Sequence, residues 1–413
     1  MRKIMNVPDK ERPWLVVICR ARLWPNASGL TQRIRSLLTY LRRDFRVCLY
    51  NETYFRPCHD ENDTDFFDCY VHKSWLSRFF RAPIFGKILA YYYGQKAGGI
   101  DLWRKAGIAP PVDLIRWAKD KSIPVVMAVY ARTMPTAKYF SRWKNATLVL
   151  DTIDIEHLRV DSARKMKMET GMGQMSKEAE IQVWKSADLV MAIQQEEADL
   201  IKSYLESKPV VLVPHAFEDQ RNESDIQDKN VDSNRVLFVG SQAKPNIHGL
   251  RSFLKDVWPG VLQAIPGAVL DIVGDCGEKI ESSELPKNVF RHGRQPDLSP
   301  FYKQASLVIN PVQYGSGLKI KCVEAMMYGK CMLTTPVGVQ GLASLAGDAL
   351  VVEEIDQYSK RLIELLRDPG YRKKVEVRAR RAYLQEFSPS ACYENFIHLL
   401  QPYLQNSNDK TKT

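Results

Sequence analysis

No stretch of this 413-residue sequence approaches the roughly 20 uninterrupted apolar residues that a membrane-spanning helix requires, so no spanning segment is expected. The N-terminal MRKIMNVPDKERPW is charged where a secretion leader would carry an apolar core, and Trp14 to Cys19 is too short to serve as one. The eight cysteines show no paired spacing, and Cys19, Cys48 and Cys331 sit in apolar, strand-like contexts. Buried free thiols in a reducing cytoplasm account for that pattern. Neither an aromatic sheet motif nor a helix-turn-helix is present, so nucleic acid is not an expected partner. His157 lacks a second ligand at metal spacing, so no metal site is expected there. Acidic residues are scarce only in the first third. Residues 1–150 hold 26 Lys and Arg against 12 Asp and Glu, whereas residues 151–413 hold 33 against 36. Two readings of that surplus stand: an anionic partner for the first third, or charge that serves solubility.

What the sequence does contain is a strand, turn, helix and strand from Ser306 to Gly338, SLVINPVQYGSGLKIKCVEAMMYGKCMLTTPVG. An apolar run, Ser306 to Asn310, ends at Pro311, and the turn Gly315-Ser316-Gly317 follows. A helix is expected from near Leu318 to Gly329, with Leu318, Cys322, Val323, Ala325 and Met326 on its apolar side. A second strand, Cys331 to Thr335, stops at Pro336. Such a βαβ unit is right-handed, and its glycine turn opens a helix N-terminus, whose free amides attract anions. Gly315 and Gly317 let a phosphate approach the backbone. Lys319 and Lys321 place positive charge in the first turn, where acidic residues are ordinarily preferred. Glu324 supplies a carboxylate suited to paired ribose hydroxyls. Turn chemistry alone leaves a second reading open, a solvated lysine face with no ligand.

The run G-S-G-L-K-I-K-C-V-E-A-M-M-Y-G-K resembles the nucleotide-sugar-binding segment of retaining, family-four glycosyltransferases of the GT-B fold, in a sub-branch reading G-x-G-x-K-x-K-x-x-E-A-M. Many members carry a second, earlier glutamate, which would fall on Ser316 here. The resemblance implies an α/β protein with two Rossmann-like, doubly wound domains facing across a cleft. It implies donor contacts from Ser28, Gly29, Lys244, Gly315, Ser316, Gly317, Leu318, Lys319, Lys321 and Glu324, with Lys319 and Asp154 in catalytic roles. No metal and no cofactor beyond the nucleotide-sugar co-substrate are implied.

The rest of the chain fits two similarly built halves. Trp14 to Cys19, a small-residue turn at Ala27-Ser28-Gly29, a helix to about Arg43 and a strand from Arg46 to Asn51 open the first. From the residues alone, Ser28 and Gly29 read equally as an N-cap and tight turn. Lys73 to Gly99 interleaves aromatic and basic residues, which suits either an anionic lipid surface or an internal helix pair. Thr147 to Asp151 is a buried strand followed by Asp151-Thr-Ile-Asp154-Ile-Glu-His157. Many of the resembling enzymes have a His-Asp pair here; Asp154 matches the acid and Ile153 replaces the histidine. Asp151 and His157 are alternates for that role. The expected domains are 1–218, a polar linker 219–234, a donor domain 235–388, a returning helix 389–405 and a disordered tail 406–413.

The expectation is therefore a cytoplasmic glycosyltransferase, peripheral on the inner face of the cell membrane. It would move a sugar from a nucleotide-sugar donor to a glycan or lipid-linked acceptor, with retention of configuration, in cell-surface polysaccharide or glycoconjugate synthesis. The alternatives are a nucleotide-sugar epimerase and a non-catalytic scaffold that kept the fold.

Overall fold

The computed structural model describes residues 12–21, 23, 29–52, 65–72, 111–165, 175–221, 234–315 and 318–409. Ser28, Ser316, Gly317, the segment 73–99 and most of the expected linker lie outside them. The chain divides into two compact units. The first comprises Met1–His157, Met175–Val213 and Tyr393–Thr413, and the second Leu158–Gln174 and Pro214–Cys392.

In the first unit, strands β1 (Trp14–Cys19), β2 (Arg46–Asn51), β3 (Cys69–His72), β4 (Val125–Val129), β5 (Thr147–Asp151), β6 (Leu189–Ala192) and β7 (Val210–Leu212) form one sheet. Its order is β3-β2-β1-β4-β5-β6-β7 and every pairing is parallel. Leu15 through Cys19 and Val125 through Ala128 are fully buried. That is why the sequence runs apolar without alternation: helices cover both faces of a parallel sheet. β3 was not expected from the sequence. It is a short edge strand at the end of an acidic stretch, and Asp68 anchors it by accepting from the Val47 amide (2.7 Å) and from Arg42 (2.8 Å).

The closing helix, Pro389–Asp409, enters the first unit at Tyr393, whose hydroxyl lies 3.2 Å from Ser36 Oγ and whose ring packs on Tyr40. It also corrects an expectation, since residues 406–409 are helical rather than part of a disordered tail. Asn, Ser and Asp are weak helix formers, but extending an existing helix avoids the nucleation cost that starting one incurs.

In the second unit, β8 (Arg235–Val239), β9 (Val269–Val273), β10 (Val289–Gly293), β11 (Leu307–Asn310), β12 (Met332–Thr334) and β13 (Val351–Val352) form a parallel sheet in the order β10-β9-β8-β11-β12-β13. Numbered within the unit, this is the 3-2-1-4-5-6 order of a doubly wound sheet. Its connections diverge to opposite faces between β8 and β11, which opens a crevice at their carboxyl ends. Residues from Pro214 onward belong to this unit. Tyr383 donates to the Phe217 carbonyl (2.7 Å), and Arg380 pairs with Asp219. Among the described residues no helix is long and apolar enough to cross a membrane.

Candidate functional site

The loops that follow β8 and β11 meet at the switch point. After β8 the backbone of Gly240 is pressed against Gly274, whose φ of +102° only glycine adopts readily; a Cβ at 274 would overlap the Gly240 carbonyl oxygen. This contact fixes where the β8 loop leaves the sheet. The loop then enters the helix Lys244–Ser252, where Asn246 Nδ2 donates to the Ser241 carbonyl at 3.1 Å. After β11 the chain reaches Gly315 at φ +128° and then the helix Ile320–Met327. A Cβ at Gly315 would lie 3.8 Å from Pro245 Cγ and 3.9 Å from Lys319 Nζ, so both loops and Lys319 converge there.

The helix begins two residues later than the sequence pattern suggests, at Ile320, and Lys319 is its N-cap. The Lys319 side chain makes no capping bond, and the first turn of the helix holds no acidic residue. Lys319 Nζ stands 3.3 Å from Gln340 Oε1. Lys321 differs from its expected role as an open point charge. Its Nζ donates to Asn246 Oδ1 at 2.6 Å and lies 4.7 Å from the centre of the Phe238 ring. Burial pushes its pKa down to about 8. Lys321 thus carries its charge under the crevice and ties the β8 and β11 loops together.

Glu324 is enclosed as well. Tyr302 donates to its Oε2 at 2.9 Å, and burial pushes its pKa up to about 7 against the opposing pull of that bond and of Lys321. The ring of Tyr302 stacks on Tyr328 at 4.2 Å, which locks the donor in place. Asn310, the last residue of β11, donates to Thr334 Oγ1 and to the Gly338 carbonyl, each at 3.1 Å, while its own Oδ1 is buried without a hydrogen-bond partner. Asn246, Asn310 and Tyr302 were not singled out from the sequence. The only available signals were a polar residue closing an apolar strand, and an asparagine just after Lys244-Pro245. Lys244 is exposed and lines a cleft of about 970 Å³ together with His248, Arg251, Lys255 and Gln313; Lys319, Lys321 and Glu324 do not line it.

Gly29 and Asp154 belong to the first unit. Gly29 is the first residue of the helix Gly29–Leu41. Asp154 is half-buried in the turn after β5, beside Ile153, a β-branched residue held at φ +61°. Such a conformation is strained and persists only where surrounding structure enforces it. The two alternates to Asp154 are already engaged within the unit. Asp151 accepts two bonds from Arg33, at 2.9 and 3.2 Å, with both side chains 1% exposed. His157 Nδ1 lies 2.7 Å from Glu180 Oε2, and the Glu180 carboxylate also accepts the backbone amides of Glu156 and His157. The sequence placed these polar groups at a strand end but could not show the arginine and glutamate packed against them.

Residues 233–368 match the family model described as glycosyl transferases group 1. Anabaena HepE, solved with UDP and glucose, superposes with a TM-score of 0.65 at 14% identity, covering 95% of this chain and 100% of that one. Sucrose-phosphate synthase from Thermosynechococcus elongatus superposes with a TM-score of 0.70 at 14% identity, covering 96% and 100%. The fold is GT-B. The GT-B likeness spans both units, and the sequence match to the glycosyl transferases group 1 model falls on the second. An uncharacterized 44.6 kDa protein in the cps region of Klebsiella pneumoniae is 28% identical over 178 residues, 40% of this chain and 44% of that protein. The chain therefore matches less than half the length of this curated relative. Together these matches show the GT-B fold and a sequence likeness to glycosyl transferases group 1 over residues 233–368.

Proposed function

We propose that this GT-B protein transfers a sugar from a nucleotide-sugar donor to a glycan or lipid-linked acceptor, with retention of configuration. The observation that carries this reading is the corner at the switch point. There the helix N-terminus at Lys319, the Lys319 side chain and the half-buried Lys321 meet the loop after β8 above the carboxyl edge of the sheet. A departing nucleoside diphosphate develops negative charge, and donors fixed before the reaction stabilise it without reorganising. In this reading the amides from Gly315 to Leu318, including Ser316 and Gly317, together with Lys319, hold the diphosphate. Lys321 supplies field from below, Lys244 reaches the same group from the β8 loop, and Glu324 accepts the ribose hydroxyls. By resemblance to the family, Ser28 and Gly29 are proposed donor contacts and Asp154 a proposed catalytic carboxylate. The leaving phosphate serves as base toward the acceptor hydroxyl, which gives retention without a protein nucleophile or a metal.

HepE was solved with UDP and glucose, which supports a nucleotide-sugar donor. The cps-region relative supports a place in cell-surface polysaccharide synthesis. The proposal includes a cytoplasmic enzyme peripheral to the membrane. The test is turnover of UDP-, GDP- and dTDP-linked sugars, read as release of the nucleoside diphosphate in the presence of a glycolipid extract. One donor class should be consumed, and Lys319→Ala should lower kcat/KM about 100-fold, the order expected for losing one fixed donor to a developing anion. Turnover of none would overturn the reading, and C2-epimerised sugar as the sole product would replace it.

A further inference from the structure

The cysteines read from the sequence as inert, buried thiols include a pair that does not fit that description. Strands β2 and β3 are parallel neighbours, and their register sets Cys48 directly opposite Cys69. Neighbouring strands run about 4.8 Å apart, inside the roughly 4.4–6.8 Å between Cα atoms that a disulfide spans without backbone movement. Opposed residues in register also project to the same face of the sheet. The register therefore makes the two thiols neighbours. Their surroundings differ. Cys48 is fully buried, whereas Cys69 is partly exposed on the edge strand. The neighbouring Cys48 thiol holds the Cys69 pKa below its ordinary value, with Lys121 and Arg46 adding to the effect against partial burial; burial raises that of Cys48. An accessible, thiolate-prone cysteine beside a shielded one is the arrangement of an attacking and a resolving thiol.

We propose that Cys69 and Cys48 are a modification site, a dithiol that a hydroperoxide oxidises to a reversible disulfide stapling β3 to β2. The Cys69 thiolate attacks the peroxide. An S–O bond forms as the O–O bond breaks, and the leaving hydroxide takes a proton to become water. Cys48 then attacks the Cys69 sulfur. An S–S bond forms as the S–O bond breaks, and the proton of Cys48 leaves with the hydroxide as a second water. Each sulfur loses one electron, and one peroxide is reduced to two waters. The site does not depend on the proposed sugar transfer.

The test treats the full-length native chain with graded hydrogen peroxide, blocks remaining thiols with N-ethylmaleimide, and maps peptides by mass spectrometry without reduction. The expected product is a Cys48–Cys69 cross-linked peptide, two hydrogens lighter than its parts, formed before any other cysteine reacts and reversed by dithiothreitol. In Cys48→Ser, and in Cys48→Ala as an independent replacement of the buried thiol, Cys69 should persist as a sulfenic acid trapped by dimedone. Three results would each overturn the proposal. Both thiols could be recovered blocked while other cysteines are oxidised, Cys69 could cross-link to Cys58 or to a second chain instead, or dimedone could label Cys69 no faster than buried Cys331.

Discussion

At the scale of single residues, the corner proposed to hold the donor contains ionisable groups partly or wholly withdrawn from water. Glu324 ordinarily titrates at 4.5 and here at about 7, so the folded chain holds its proton more tightly than the unfolded chain does. Its contribution to stability is therefore fully present below pH 4.5 and is lost as the pH rises toward 7. Relative to Glu324→Gln, which cannot titrate, the native protein should lose roughly 3 kcal/mol of stability across that window. Urea unfolding of both proteins at several pH values measures it, and parallel curves would refute it. Lys321 carries a second lesson. Lys321→Met leaves the Asn246 Oδ1 acceptor without its donor and should cost about 1–3 kcal/mol of stability. The same substitution should weaken nucleoside diphosphate binding at least tenfold. A variant that binds normally would show that Lys321 only ties the two loops together.

At the scale of elements, the buried Arg33–Asp151 pair joins the helix Gly29–Leu41 to the end of β5. Arg33→Met leaves a carboxylate unpaired in the interior and should cost about 3–5 kcal/mol. Arg33→Met with Asp151→Leu should recover most of the loss, and a double variant no more stable than the single would contradict this. Strands were legible in the sequence in proportion to their burial. β1, β2 and β5 fall where the residues suggested, as buried and largely apolar runs. β3 was missed because a four-residue edge strand needs no apolar run and is pinned instead by Asp68. The candidate site was legible as a cluster of residue types, Gly315, Lys319, Lys321 and Glu324, but not as an arrangement. A lysine in a first turn reads as exposed, whereas Phe238 and Asn246, which enclose Lys321, come from distant parts of the sequence.

At the scale of the whole molecule, two parallel sheets of doubly wound design account for a chain of this length, and the second carries the corner proposed to bind an anion. The account depends on that corner gripping a nucleoside diphosphate. Calorimetric titration with UDP, GDP, ADP and dTDP at neutral pH tests it most directly, on the native protein and on Lys319→Ala. The account predicts saturable, one-to-one binding of at least one of the four, weakened tenfold or more by the substitution. Binding of none, or equal binding by Lys319→Ala, would contradict it.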